Sequence, residues 1–296
     1  MKKNTYILMG LFICLFIIAY LVLQKPGEQS ATTASTGLLF SMDSLFVDKI
    51  EIKTSALSLL LEKRGGEWFV AQPVSYKADQ TNVGQFIHQI KNIEIKNIVS
   101  SKPEKHTVFQ VDQNGTQVTA YEKNAEKAAF VVGKMTESYS ESYVRKLNSN
   151  DVYLVEGISN YTVNRPVKDW RDKTILTLPK ESIKDMHFQY GDTTWSITWS
   201  DSSWVVGKDK ANPPVVESIL SSISNLQADD FIDTAVSPKM TAMVVCAGIQ
   251  LRFAYIKTLN KYYVQSSNSP QWFILEQWKA NQILKRKKEI VEFNKK

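Results

Sequence analysis

Cysteine is scarce in this 296-residue chain, which contains only Cys14 and Cys246. Cys14 lies in an apolar run near the N-terminus and Cys246 lies far along the chain, so we expect no disulfide within one molecule. A chain of this length can bury a core that is stable without disulfides. The stretch TAMVVCAGIQ around Cys246 is mostly apolar, which predicts a small buried side chain at that position.

Catalytic and metal-binding motifs are also missing. The three histidines, His88, His106 and His187, have no partner at the spacing of a His-x-x-x-His metal site. The chain has no Gly-x-Ser-x-Gly elbow, no Ser-x-x-Lys motif, no nucleophilic cysteine context and no Walker loop. We therefore assign no catalytic, cofactor-binding or metal-binding residue, expect no cofactor, and predict that the protein is not an enzyme.

One acidic cluster is the exception, formed by Asp229, Asp230 and Asp233 in the string LQADDFID. Carboxylates this close in sequence could form a glycosidase pair or a Ca²⁺ site. The corresponding stretch in the first half of the chain, around Glu94 and Lys96, lacks such a cluster. We interpret the cluster as a solvated turn and keep the three residues as an alternative acidic site.

The net charge of +6 comes from the two ends of the chain. Lys2 and Lys3 precede the apolar run, the C-terminal stretch KRKKEIVEFNKK is strongly basic, and the residues between them carry no net charge. A nucleic-acid-binding protein would have a basic stripe on its folded body, so nucleic acid is not an expected partner. The basic tail is either a solvated helix end that complements the helix dipole or a contact with anionic lipid.

An uncharged apolar run from Tyr6 to Leu23 predicts a single transmembrane helix that contacts the lipid bilayer. The run is longer than the apolar region of a cleaved signal peptide and is not followed directly by a small-residue cleavage site, which favours an uncleaved anchor. Because Lys2 and Lys3 precede it, residues 1–5 should be a cytoplasmic tip. Residues 24–36 are rich in small polar residues and predict a flexible linker to an exported ectodomain.

Two similar blocks in the remaining chain predict an internal duplication. Alternating apolar residues of the first block recur at one constant offset in the second, as Ile50, Ile52, Leu59, Leu61, Trp68 and Val70 against Met186, Phe188, Trp195, Ile197, Trp204 and Val206. This alternation, interrupted by turns, is typical of hairpin strands. A helical period follows each block, at Val83, Phe86, Ile87 and Ile90 and at Val216, Ile219, Leu220 and Ile223.

A later hairpin repeats as well, because Tyr143-Val144 with VYLVE matches Tyr263-Val264 with WFILE. We therefore predict an α+β fold, with the transmembrane helix followed by a β-rich ectodomain of two tandem related units. The units span residues 37–178 and 179–296, the second with the basic tail, and each has antiparallel strands and a packed core helix. The structural core candidates are Trp68, Trp170, Trp204, Tyr143 and Tyr263.

Several short motifs resemble one bacterial family. They are EWFVAQP, the helix start KADQTNVGQFIHQI, the strand VYLVE, and WRDKTIL at the junction of the two units. On these motifs the chain resembles DUF4340, a family of membrane-anchored envelope proteins defined as a domain of unknown function. Its members are often encoded beside ABC transporter components of the gliding-motility type. The family has no established catalytic residues, so the resemblance implies none here.

The resemblance implies a single-pass protein of the bacterial cytoplasmic (inner) membrane, with its ectodomain in the periplasm or the extracellular space. It also implies a partner, an inner-membrane complex of ABC-type transporter subunits. We accordingly predict a non-enzymatic, membrane-anchored accessory or scaffold component of such a complex. The alternatives are an envelope glycan or peptide hydrolase that uses the Asp229 cluster, and a free-standing ligand-binding module.

Overall fold

The computed structural model of the protein describes residue 13 and residues 37–291. The described chain forms two compact units that are interleaved in sequence. Unit 1 takes residues 37–63 and 83–165, and unit 2 takes residues 64–82 and 166–291. The predicted boundary lay between residues 178 and 179, whereas in the structure a short segment of the first half belongs to unit 2.

Strands make up most of the regular structure. In chain order they are β1 (Gly37–Leu38), β2 (Val47–Lys53), β3 (Ser58–Arg64), β4 (Glu67–Gln72), β5 (Tyr76–Lys77), β6 (Glu94–Ser100), β7 (Thr116–Glu122), β8 (Ala125–Met135), β9 (Ser142–Lys146), β10 (Val152–Glu156), β11 (Thr174–Thr177), β12 (Asp185–Tyr190), β13 (Thr193–Ser200), β14 (Ser203–Val206), β15 (Asp209–Lys210), β16 (Asn225–Gln227), β17 (Asp230–Ile232), β18 (Ala242–Cys246), β19 (Ile249–Ile256), β20 (Lys261–Ser266) and β21 (Trp272–Glu276).

The described helices are short. They are α1 (Gln80–Lys91), α2 (His106–Phe109), α3 (Asn160–Val163), α4 (Pro213–Ser224), α5 (Gln277–Ile283) and α6 (Lys287–Val291), with 3-10 turns at Pro103–Lys105, Val167–Asp169 and Lys180–Ser182. Helices α1 and α4 lie where the helical periods predict them, and each buries its four apolar residues of that period.

Unit 1 contains an antiparallel sheet in the order β1-β6-β10-β9-β8-β7-β2-β3. Ile50 and Ile52 of β2 lie opposite Leu61 and Leu59 of β3, and all four side chains are buried. Because side chains alternate between the two faces of a strand, this register places the apolar residues of both strands on one face. That face carries the core of the unit.

Unit 2 contains an antiparallel sheet in the order β15-β14-β13-β12-β18-β19-β20-β21-β17. It also holds the small pairs β11–β16 and β4–β5. The core cluster of the unit joins one face of the sheet to α4, α5 and α6, with Phe188, Phe253 and Phe273 among its largest buried side chains. The three helices therefore lie over the buried face of this sheet.

The two sheets share one strand order. The path β3-β2-β7-β8-β9-β10-β6 of unit 1 corresponds to β13-β12-β18-β19-β20-β21-β17 of unit 2. The register repeats as well, since Ile52–Val118–Phe130–Lys146 lie side by side across four strands, as do Phe188–Val244–Leu251–Ser266. Such agreement in order and register is what duplication of one ancestral unit produces.

The predicted fold class is wrong in the transmembrane helix with which the prediction begins. The described residues are 45% strand and 21% helix, so the part of the chain that the structure describes is β-rich and includes no transmembrane helix of the kind that we expected. No helix among the described residues is long and apolar enough to cross a membrane. The longest of them, α1 and α4, have 12 residues each. At ~1.5 Å per residue they reach ~18 Å, well short of the ~30 Å hydrocarbon core.

The same finding contradicts the predicted localisation as a single-pass inner-membrane protein. Apart from Ile13, the predicted span from Tyr6 to Leu23 lies outside the described residues, and so do the tip at 1–5 and the linker at 24–36. The last five residues of the basic tail, 292–296, also lie outside them.

Candidate functional site

The acidic cluster of the alternative site is divided among separate cations. The Asp229 carboxylate receives Lys279 Nζ at 2.6 Å and the backbone N–H of Glu276 at 2.8 Å. Asp230 pairs with Lys168 at 3.2 Å. Both oxygens of Asp233 accept from Arg171 Nη1, at 2.9 and 3.0 Å. Each carboxylate therefore has its own basic partner, an arrangement typical of structural ion pairs.

Arg171 has a structural environment that its sequence context did not reveal. Its side chain is 2% exposed, and its guanidinium lies 3.7 Å from the ring centroid of Phe231 and 4.5 Å from that of Tyr76. Its backbone forms a β-bridge with Ala78. The guanidinium contacts both rings and pairs with Asp233, and thus joins the β4–β5 segment to the rest of unit 2.

The three histidines lie in separate local contacts. His88 Nε2 lies 3.0 Å from the side-chain amide of Asn92, and His106 Nε2 lies 2.9 Å from the Asn150 carbonyl oxygen. His187 lies 2.8 Å from the Asp185 carboxylate on an exposed part of β12. Within the described part of the chain, no group of three or more His, Cys, Asp or Glu side chains could hold a metal ion.

The core candidates differ in how far they are buried. Trp170 is 0% exposed and Trp68 is 6% exposed. Trp204, Tyr143 and Tyr263 are only partly buried. Cys246 is fully buried, and this burial raises the pKa of its thiol to about 11.

The feature of unit 2 best suited to binding is a groove of about 470 Å³, here called the tyrosine groove. It is lined by Tyr190, Thr241, Ala242, Tyr255, Tyr262, Asn281, Leu284, Lys285, Arg286 and Glu289. One wall is formed by four strand ends: the end of β12, the start of β18, the end of β19 and the start of β20. Adjacent antiparallel strands bring these ends to the same edge of the sheet. The chain from α5 to α6 forms the other wall.

Aromatic contacts build the floor of the groove. Tyr255 and Tyr262 lie directly opposite each other on β19 and β20, with ring centroids 5.1 Å apart. Tyr262 also contacts the buried Phe253 edge to face at 6.3 Å. The Arg286 guanidinium lies 3.9 Å above the ring of Tyr190. These packed rings and the stacked arginine give the groove a preformed surface.

One hydrogen bond joins the two walls, and others form within each wall. The Tyr190 hydroxyl donates to the Lys285 carbonyl at 2.7 Å, which ties the end of β12 to the chain between α5 and α6. The Tyr255 hydroxyl donates to Asn260 Oδ1 at 2.7 Å. The backbone N–H of Arg286 donates to Glu289 Oε2 at 2.6 Å. The one carboxylate of the lining is therefore already engaged by the backbone.

The groove carries a net positive charge and presents tyrosine hydroxyls. Lys285 and Arg286 outnumber Glu289, and neither of these two cations forms an ion pair within the chain that the structure describes. Burial raises the pKa of Tyr190 and Tyr262 above the usual value for a phenol. Both hydroxyls therefore stay protonated, and remain hydrogen-bond donors, at neutral pH.

Sequence reasoning did not find this groove. Its tyrosines come from three different strands and its basic residues from a fourth segment, so only the strand register brings them together. The one sequence signal was the basic run KRKK, which we interpreted as a helix end or a lipid contact.

The fold defines a β-rich protein built on two antiparallel sheets of one strand order. Residues 68–242 match the family model described as Domain of unknown function (DUF4340), and the chain belongs to this family. No curated protein and no solved structure matches the chain. The family match includes Tyr190 and Thr241 of the tyrosine groove and ends before its other tyrosines.

Proposed function

We propose that the protein is a non-enzymatic binding component of a multiprotein complex, and that ABC-type transporter subunits are its partners. The tyrosine groove carries the proposal. Tyrosine and arginine are the residue types most enriched at the energetic centres of protein interfaces. A groove whose rings pack against each other and whose walls are joined by a hydrogen bond is preorganised, which lowers the entropic cost of binding.

The choice of partner rests on the family. Membership of DUF4340 brings with it the association with ABC-type transporter components that the sequence motifs implied. Any ABC-type transporter subunits that are encoded beside this gene would therefore be the first partners to test.

Binding accounts for the geometry better than hydrolysis does. A glycosidase needs one carboxylic acid that donates a proton and one carboxylate that acts as base or nucleophile. In unit 2 the three candidate carboxylates are held by Lys279, Lys168 and Arg171. Each of the three carboxylates is thus occupied by a basic partner in its own ion pair, and the three supply no acid and base pair facing a common site.

Co-purification tests the proposal. The full-length protein would be expressed with the neighbouring transporter subunits and isolated through an affinity tag on one subunit. We expect the protein to co-elute in constant ratio, and the variant Arg286→Glu to be lost from the complex. Arg252→Glu is the matched control, because Arg252 lies on β19 with its side chain exposed and outside the groove lining.

Failure of the wild-type protein to co-elute with any neighbouring subunit would overturn the proposal. If Arg286→Glu and Arg252→Glu reduced co-elution equally, the protein would still be part of a complex, but the tyrosine groove would not be its binding site. Circular dichroism of both variants checks that they are folded.

A further inference from the structure

We infer that the tyrosine groove takes an acidic, extended peptide segment of a partner protein, with one aromatic side chain of that segment seated against Tyr255 and Tyr262. This inference rests on the proposed binding function and names the chemistry of what is bound. Three observations support it: the unpaired cations of the groove, its free phenol donor, and its concave shape.

Charge complementarity favours an acidic occupant. Lys285 and Arg286 line the groove, and Lys287 and Lys288 follow them at exposed positions on α6. Glu289 is the only carboxylate in the lining, and it accepts from the Arg286 backbone. Guanidinium–carboxylate hydrogen bonds are charge-assisted and shorter than neutral ones, so Arg286 offers the strongest single contact to an acidic side chain.

The arginine is also positioned in advance. Its guanidinium is stacked on Tyr190, whose hydroxyl is fixed by the Lys285 carbonyl. A cation held over an aromatic face keeps its N–H groups at the edge of the plane, where a carboxylate can receive two of them. Less side-chain entropy is then lost when the ligand binds.

A free donor lies at the floor of the groove. Of the three phenols, Tyr190 and Tyr255 already donate to oxygens of the chain, whereas the Tyr262 hydroxyl makes no hydrogen bond among residues 37–291. A phenol is protonated at neutral pH, and burial raises the pKa of Tyr262 further, so its hydroxyl can donate to a carbonyl or carboxylate of the ligand. The adjoining faces of Tyr255 and Tyr262 suit an aromatic side chain, since offset and edge-to-face ring contacts are favourable.

The shape argues for a peptide over a membrane surface. Lys285 and Arg286 lie on the wall of a groove of about 470 Å³. A groove of this size encloses a few side chains of an extended segment, whereas lipid headgroups are contacted by basic residues that project outward.

Fluorescence anisotropy with the full-length protein tests the inference. The probe is a short fluorescein-labelled peptide in which glutamates flank a central tyrosine. We expect saturable binding that weakens as salt is raised, because the pairing charges are partly exposed. A peptide with lysines in place of the glutamates should not bind, and one with alanine in place of the tyrosine should bind less tightly.

Two groove variants and one control locate the site. Arg286→Glu should weaken binding by about tenfold or more, equivalent to ~1.4 kcal/mol. Tyr262→Phe, which keeps the ring and removes the donor, should weaken it by a smaller factor. Arg252→Glu changes the net charge equally outside the groove and should leave the affinity unchanged. An equal loss for Arg252→Glu and Arg286→Glu would overturn the inference, since binding would then follow net charge alone.

A vesicle assay separates peptide from lipid. Vesicles of phosphatidylcholine with phosphatidylserine would be sedimented with the protein. Arg286-dependent sedimentation without peptide binding would overturn the inference in favour of a lipid surface. If transporter subunits co-elute through Arg286 but the acidic peptide does not bind, the proposed function holds and the acidic occupant is wrong. If the peptide binds but no subunit co-elutes, the groove chemistry holds and the transporter partner is wrong.

Discussion

The sheets of unit 1 and unit 2 follow the same strand order and register, yet only one of them builds a tyrosine groove. The register of the repeat places Tyr190, Tyr255 and Tyr262 of unit 2 at the positions of Thr54, Met135 and Ser142 in unit 1, since Met135 lies opposite Ser142 as Tyr255 lies opposite Tyr262. The apolar residues that pack the two sheets match, whereas the residues at this edge differ in every case. The shared positions thus account for the fold, and the differing positions account for the groove in unit 2, to which we assign the proposed binding role.

A second comparison concerns the two joints between a hairpin and the following helix, at residues 68–79 before α1 and 204–212 before α4. In these joints, too, the backbone is shared and the side chains differ. The backbone N–H of Ala78 donates to the Trp68 carbonyl oxygen at 2.9 Å, and that of Ala211 donates to the Trp204 carbonyl oxygen at 2.9 Å. Asp79 N–H then bonds to the Trp170 carbonyl, as Asn212 N–H bonds to that of Ile290. The backbone of the joint is repeated, while the burial of its side chains and the capping of its helix are not.

The largest difference that we expect between the two joints concerns their tryptophans. Trp68 is 6% exposed and Trp204 is only partly buried. Trp68→Ala should lower the free energy of unfolding by ~3–5 kcal/mol, through lost burial and the cavity left behind. Trp204→Ala should cost less, about 2 kcal/mol, because less of its apolar area is removed from water. Urea unfolding of both variants measures this, and equal losses would mean that the joints are energetically equivalent.

The stability cost of neutralising an aspartate near β17 should depend on the residue with which that aspartate pairs. Asp233→Asn removes the charge that faces the buried Arg171 guanidinium and should cost about 1–3 kcal/mol. Asp230→Asn is the matched control, since its partner Lys168 is 39% exposed and an exposed pair contributes under ~1 kcal/mol. The urea midpoints of the two variants give the comparison. Loss of a measurable hydrolytic activity in the triple variant Asp229→Asn, Asp230→Asn, Asp233→Asn would instead support the hydrolase alternative.

The helix caps should differ by a smaller amount. The Asp79 carboxylate accepts the backbone N–H of Asn82 at 2.9 Å, whereas the Asn212 side chain makes no capping bond to α4. Asp79→Ala should therefore cost ~1 kcal/mol, and Asn212→Ala should cost a few tenths at most. Thermal unfolding of the pair provides the test, and a larger loss for Asn212→Ala would contradict it.

The smallest expected effect is a pH dependence that belongs to the groove. Burial raises the pKa of Tyr190, so the unfolded chain releases this proton near pH ~10 while the folded chain still holds it. The resulting stabilisation is complete below pH ~10 and is lost as the pH rises further. Tyr190→Phe should reduce the alkaline slope of stability, whereas Tyr161→Phe, at an exposed position, should not. Equal slopes for the wild type and Tyr190→Phe would contradict this.

Local patterns predicted much of the fold, and long-range contacts account for the rest. Alternation at Ile50 and Ile52 and at Met186 and Phe188 predicted strands that the structure has as β2 and β12. A period of two or of 3.6 residues is a local property, readable from a short window. The pairing of Arg171 with Asp233 spans 62 residues and could not be read in that way.

The tyrosine groove escaped prediction for the same reason. Tyr190, Tyr255 and Tyr262 each look like ordinary strand residues, since aromatic residues favour strands in general. Their meeting depends on the pairing of β12 with β18, of β18 with β19 and of β19 with β20. The basic run beside them was visible in the sequence, but the aromatic floor beneath it was not.

Site-specific photo-crosslinking tests the central claim most directly, that binding belongs to the tyrosine groove and not to its counterpart in unit 1. A photoreactive phenylalanine derivative would replace Tyr255 in one variant and Met135 in the other, at equivalent and partly buried positions. Each full-length variant would be irradiated together with the transporter subunits. The account predicts a crosslinked subunit from position 255 and none from position 135, and crosslinking from position 135 alone, or equally from both, would contradict it.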